Sequence, residues 1–311
     1  MYATLRPRLE VRHLRMLVAI DEAGSVADAA DLLGVSASAL THRIREAERR
    51  LGVALYSRVK GRLRPTPASD VLRQSAERLL TDLDRSEAVA RAYFSGVEHV
   101  VRLGIGFYTA YHWLPWFLKR LRAQAPDLDV EIVAGAARRP LDMLGEGGID
   151  LAIVGGEPNQ AGISGVRLFN DELVAIMAPE HRLAGRAYVV AEDFIDEDYL
   201  SYSRTVMPGH EHDRLFRPAE VHPRRYITVE LPEAIVELVA AGFGVSVLAG
   251  WAVAPQVRWG AIASSRLTEN GLDIDWYAAV RETEGADSPG RRLASALAAW
   301  CRETPDAFAI R

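Results

Sequence analysis

Residues 25–52, SVADAADLLGVSASALTHRIREAERRLG, leave few folds open to the chain that carries them. Val26, Ala29, Ala30 and Leu33 recur at helical spacing, and Gly34 follows where a helix stops. A second helix opens at Ser36, with Leu40, Ile44, Ala47 and Leu51 along one apolar stripe. Its other face carries Ser38, Thr41, His42 and Arg45, with Arg49 a turn further on. Short polar side chains at a helix start, followed by arginines, suit a helix laid N-terminus first into the DNA major groove. There short side chains read base edges and long cations hold phosphates. The plainer alternative is an amphipathic pair with a solvated face, since Glu46 and Glu48 sit beside Arg45, Arg49 and Arg50. The Ala-Ala helix, the Gly turn and the Ser/Thr-rich start together favour a helix-turn-helix.

Charge distribution points the same way. Residues 1–66 hold twelve Arg and Lys against seven Asp and Glu, a local +5 within a chain whose net charge is −5. A polyanionic partner responds to that local balance. The 311 residues suffice for two or three domains, and no apolar run approaches the ~20 residues that span a bilayer. The N-terminal stretch lacks the apolar core of a signal peptide, and the single Cys301 permits no internal disulfide, so cytoplasmic residence is expected.

Along the chain, Val11, Leu14, Leu17 and Val18 predict a first helix packed under the pair. After Gly52 comes a basic ribbon with a glycine-bearing tip. Arg58, Lys60, Arg62 and Arg64 stand at two-residue steps, which predicts one basic face on a wing that grips the DNA backbone. Pro67, with Thr66 as cap, opens a helix running to about Phe94. Its roughly heptad seam, Leu72, Ala76, Leu79, Leu83, Ala90 and Phe94, predicts dimerisation. Beyond Gly96, strands and helices alternate. Strands are expected at 101–107, 128–135, 149–156, 172–179, 199–204, 225–230, within 244–253 and at 273–281. Helices are expected at 111–124, 140–146, near 210–216, at 232–241 and at 289–302. This alternation predicts mostly parallel sheets covered on both faces, arranged as two α/β units with a cleft between them.

These features resemble the LysR-type transcriptional regulators over essentially the full length. The family pattern S-x-S-A-x-S-x-x-I-R-x-L-E-x-x-L-G stands here as Ser36, Ser38, Ala39, Thr41, Ile44, Arg45, Glu48, Leu51 and Gly52. LYSR at 55–58 and PTPAS at 65–69 resemble the flanks of the family's wing, while Ala47 replaces a usual leucine and Ser69 a usual glycine. The resemblance implies an α/β chain overall. Its parts are an N-terminal winged helix-turn-helix (1–66), a linker helix (67–96) and a periplasmic-binding-protein-like effector domain (97–311). In that domain, subdomain 1 takes about 97–166 plus 267–311 and subdomain 2 about 167–266. Implied partners are double-stranded promoter DNA, a homodimer through the linker helix, a homotetramer, and RNA polymerase.

EVRHLRML at 10–17, the Trp113-Leu114-Pro115 region, GIDLAIVGG and YAAVR at 277–281 carry a narrower likeness to the MetR-like branch, the regulators of methionine biosynthesis. That branch takes homocysteine as co-effector, which implies the same ligand class here. An aromatic acid or another metabolite is the alternative, and GFYTAYHW at 106–113 does not reproduce that branch closely.

For DNA the expected contacts are Ser36, Ser38, Thr41, His42 and Arg45 in the groove and Arg58, Lys60 and Arg62 on the backbone. For the effector, the family's cleft between the two units implies Tyr108, Thr109, Ala110, Gly135, Ala136, Tyr202, Ser203 and Glu230. Amides near Thr109 would hold a carboxylate and Glu230 an ammonium. GHEHD at 209–213 invites a metal reading, but histidines two apart on a helix do not share a face. No nucleophile elbow, phosphate-binding loop or complete dinucleotide fingerprint is present, so neither catalysis nor a cofactor is expected.

Overall fold

The computed structural model describes residues 7–59, 62–92, 97–106, 112–203, 206, 209–229 and 231–305; of residues 58, 59, 62, 85, 88, 89, 91 and 92 it describes the backbone alone. Two compact units divide the chain at Arg91 and Ala92.

In the first unit, α1 (Val11–Ala23) ends on Gly24 in the left-handed region, and Ser25 caps α2 (Val26–Leu32) by accepting from the Asp28 amide. Gly34, with φ +64°, turns the chain into α3 (Ala37–Leu51). Met16, Leu17, Ala29, Ala30, Leu40, Ile44, Ala47 and Leu55 bury together, so the stripe read at 3.6-residue spacing is the core. Strands β1 (Tyr56–Val59) and β2 (Arg62–Pro65) form the wing ribbon. Thr66 Oγ1 accepts from the Ser69 amide at the start of α4 (Pro67–Ala92). The seam of α4 is divided. Leu72 and Ala76 pack into this unit's own core, whereas Leu79 and Leu83 are exposed, and Phe94 lies outside the described residues.

The second unit is built on a mixed sheet, not a mostly parallel one. Strand β3 (His99–Ile105) pairs parallel with β4 (Leu128–Ile132) and β5 (Leu151–Gly155). Helices α5 (Leu114–Gln124), α6 (Pro140–Gly145) and α9 (Pro289–Glu303) belong to this half. Strand β12 (Asp273–Arg281) runs antiparallel to both β5 and β6 (Ile163–Met177). The far end of β6 pairs antiparallel with β10 (Ser246–Ala249) and β11 (Ala263–Leu267), and β11 pairs with β7 (Tyr188–Val189). Strands β8 (Asp198–Ser201) and β9 (Arg225–Thr228) pair parallel beside them, with α7 (Pro232–Ala240) and α8 (Gly250–Arg258) completing the second half. Strand β6 therefore runs through both halves, paired with β12 in the first and with β10 and β11 in the second, and the register between β6 and β12 shifts at Trp276/Tyr277. Within 244–253 the expected strand stops at Ala249 and becomes α8, and the strands β7 and β11 were not anticipated.

Where these two strands cross, Phe169 of β6, Trp276 of β12 and Trp251 of α8 pack ring against ring at 5.2–6.3 Å. Beside them Asp171 accepts from the Trp251 amide at 3.2 Å and so caps α8. Burial pushes its carboxyl from 3.8 up to about 7, although the bonds from the Trp251 and Gly250 amides pull the other way. The folded state thus holds this proton more tightly than the unfolded chain. Stability from the group is full at low pH and is lost as pH rises from about 4 to about 7. Urea unfolding at pH 5 and pH 8 is expected to show a larger loss in wild type than in Asp171→Asn. Equal losses would remove Asp171 as the source.

Candidate DNA-reading helix and effector cavities

Helix α3 and its cap carry the residues expected from the sequence to face DNA. Ser36 Oγ accepts from the Ala39 amide and lies 3.0 Å from Ser38 Oγ, while Thr41 Oγ1 donates to the Ala37 carbonyl at 2.8 Å. Ser36, Ser38, His42 and Arg45 are exposed, and Thr41 is half-buried. The acids that argued for a solvated face are engaged elsewhere. Glu46 binds Arg12 and Arg50 at 3.1 and 2.6 Å; desolvation would raise its carboxyl pKa, but the His13 hydrogen bond and the two arginines together lower it. Glu48 Oε1 accepts from the amides of Leu55 and Tyr56, tying the end of α3 to the wing. Among the described residues Arg45 and Arg49 form no ion pair, so their charge is left to an outside anion.

The wing needs one correction. In its register Arg58 pairs with Leu63 and Val59 with Arg62. Position 58 therefore shares a ribbon face with Leu63, which packs toward the core, and only positions 62 and 64 share the other. The four basic residues do not make one row, because a hairpin fixes faces by pairing across it and not by counting around its tip. Lys60 lies outside the described residues.

The effector assignments sort into three groups. Tyr108, Thr109, Ala110 and Glu230 lie outside the described residues. Gly135 is exposed on the 3-10 turn at Ala134–Arg138, but Ala136 is fully buried under β3, 2.7 Å from where a Gly104 Cβ would stand. Its side chain is core and not pocket, since a turn alternates exposed and buried positions that strand-end reasoning cannot resolve. Tyr202 and Ser203 do face a cavity, one of about 280 Å³ within the second half, alongside Tyr199, Glu211, Tyr226 and Thr228.

A larger cavity of about 540 Å³ lies at the carboxyl ends of β3 and β5. Gly106, Gly155 and Pro140 line it from the first half, His210 from the second, and Trp276 from the crossing strand. Arg138 and Arg139 add positive charge and Glu157 negative charge. A Cβ at Gly155 would meet the end of the Ile274 side chain at 2.8 Å, so a larger residue there would make that isoleucine shift.

Sequence reasoning missed Glu211, His210 and Trp276. The available signal was GHEHD, which drew attention only as a metal motif. The motif leads into a π-helical turn at His212–Phe216, in which the Arg217 amide bonds the His212 carbonyl, with His210 on the wall of the larger cavity and Glu211 on that of the smaller. No group of three potential metal ligands occurs among the described residues. Cys301 is buried in α9, and burial pushes its thiol up to about 12, leaving no thiolate for chemistry. No helix among the described residues is long and apolar enough to cross a membrane.

A winged helix-turn-helix followed by a two-lobed α/β unit with cavities defines a DNA-binding regulator with a separate sensing unit. Residues 11–70 match the bacterial regulatory helix-turn-helix protein, lysR family, and residues 95–305 match the LysR substrate binding domain. The chain belongs to the LysR family of transcriptional regulators, which are DNA-binding proteins and not enzymes. It is MetR-like within that family, being 30% identical over 279 residues to the transcriptional regulator MetR of Haemophilus influenzae, with 89% of each chain covered. It resembles the regulatory domain of MetR from N. meningitidis at 29% identity and a TM-score of 0.55, over 66% of this chain and 94% of that one. The full-length CbnR in its complex with target DNA shares the fold, with 23% identity, a TM-score of 0.66 and coverage of 95% and 100%.

Proposed function

We propose that this regulator senses a sulfur amino acid of the homocysteine type and acts on promoter DNA as an assembly of at least two chains. The observation that carries the reading is the likeness to MetR, which runs through the reading helix and the sensing unit alike instead of stopping at the DNA-binding domain. Tyr202 and Ser203, both assigned to the effector, line a cavity of about 280 Å³, the scale of a small metabolite. Exposed Leu79 and Leu83 on α4 supply an apolar seam for a second chain, and tetramer formation and a contact with RNA polymerase follow the family's habit. The effector changes DNA binding only by favouring one arrangement of the assembly over another.

One observation favours a second ligand class. Arg138, Arg139 and Trp276 surround the larger cavity with cations and an indole, which suits an aromatic acid. Thermal unfolding with homocysteine, methionine, cysteine and benzoate separates the two. A ligand at 100 times its Kd stabilises its domain by about 2.7 kcal/mol. A raised midpoint with homocysteine alone supports the sulfur reading. A shift with benzoate and none with homocysteine replaces it.

A further inference from the structure

We propose that the cavity around Glu211 is an ammonium-binding subsite, which deepens, and rests on, the reading of this unit as the sensor of a small metabolite. Glu211 is only 7% exposed. Its two carboxylate oxygens accept from Tyr199 at 3.1 Å and Tyr202 at 2.8 Å. Among the described residues no Arg, Lys or His forms an ion pair with it. A carboxylate offers about four acceptor positions, and two neutral phenols occupy two of them. A buried carboxylate with neutral donors only is costly, and such groups are ordinarily paired. The remaining acceptor capacity belongs to a group that lines the cavity.

The surroundings select the kind of cation. The Tyr226 phenol, also on the cavity wall, is held up first by burial and then by the Glu211 charge, which therefore reaches the space a ligand would fill. The rings of Tyr199 and Tyr226 stand 5.6 Å apart, and aromatic faces attract a cation that has shed its water. A divalent metal would want several anionic or imidazole ligands converging on one point, and no group of three occurs among the described residues. A primary ammonium matches what is present, with three N–H donors and one positive charge for one carboxylate. Glu211 sits immediately before the π-helical turn, and Gly209, two residues earlier, holds a left-handed φ of +77°. The ligand class is a small primary amine, and an α-amino acid fits it.

The test is titration calorimetry on the full chain with homocysteine, the protein-forming amino acids, and 4-mercaptobutanoate, which lacks the ammonium of homocysteine. The variants are E211Q, which keeps shape and loses charge, and E211D, which keeps charge. At least one ammonium-bearing compound is expected to bind wild type, to bind E211Q at least tenfold more weakly, and to recover part of its affinity in E211D. Its deaminated counterpart should bind wild type weakly. Equal affinity for wild type and E211Q overturns the subsite, and so does equal affinity of wild type for an amine and its deaminated counterpart. The second comparison needs no variant to fold. Absence of any ammonium-bearing ligand overturns it as well. Glu211-dependent binding of another amino acid with homocysteine silent leaves the subsite standing and removes the homocysteine reading, whereas homocysteine binding indifferent to E211Q does the reverse.

Discussion

Replacing Asp150 with Ala is expected to destabilise the second unit by about 3–5 kcal/mol, the cost of orphaning buried charge. Asp150 is 2% exposed at the edge of β5 and binds two arginines at once. Its Oδ2 accepts from the Arg102 backbone amide and Nε, at 3.0 and 3.3 Å, and its Oδ1 accepts from Arg281 at 3.0 Å. Arg102, itself 6% exposed, and Arg281 further bond the carbonyls of Gly147, Leu144 and Ile149. One carboxylate thus joins β3, β5 and β12 at the ends opposite the larger cavity, so losing it strips counter-charge from one buried and one half-buried guanidinium. Arg281 keeps Glu284 at 2.6 Å, which softens its share. Urea unfolding should show the drop as a lower midpoint. Pairing Asp150→Ala with Arg102→Met should restore part of it, because the guanidinium that needed the carboxylate is then gone. An unchanged midpoint in the single variant would mean the cluster is not what holds these strands.

Arg45→Ala is expected to weaken specific DNA binding by about 1–3 kcal/mol, roughly 5- to 150-fold, if the side chain reads a base edge. Its exposure and its lack of an ion pair among the described residues leave the guanidinium available. Arg50 is the control. Bound to Glu10 and Glu46 at 2.5 and 2.6 Å, it serves the fold, so Arg50→Ala should shift stability more than affinity. Fluorescence anisotropy on operator and scrambled duplexes across a salt series distinguishes the modes. Loss on the operator alone means base readout. Equal loss on both, with the salt slope reduced by about 1, means a phosphate contact. Unchanged affinity on both would take Arg45 off the interface.

The reading head was legible because its determinants are local. A capping serine, a left-handed glycine and residues three and four apart decide a helix pair without reference to the rest of the chain. That Glu46 would also take up Arg12, and Glu48 the amides of Leu55 and Tyr56, was not legible, since those partners meet only after α1, α3 and the ribbon pack, whereas Arg50 lies one helical turn beyond Glu46. The wing failed for a related reason: two-residue steps define a face along one strand, but across a hairpin the pairing register decides.

In the second unit, sequence alone determined much of the alternation of strands and helices and the two-lobed class, because short apolar runs between helix signals are one-dimensional features, whereas the effector residues came from the family resemblance, and of them Tyr202 and Ser203 line a cavity. Tertiary structure decided the rest. Strand β6 joins the halves by pairing with β12 about a hundred residues later and with β10 and β11 beyond the crossing, a choice that no local pattern encodes. Ala136 went to the core, while Glu211, nine residues beyond Tyr202, came to accept from its phenol at 2.8 Å. Propensity and spacing act over a few residues. Burial, register and the convergence of charged groups are set by contacts between residues far apart in the chain, and these place the groups that would hold a ligand.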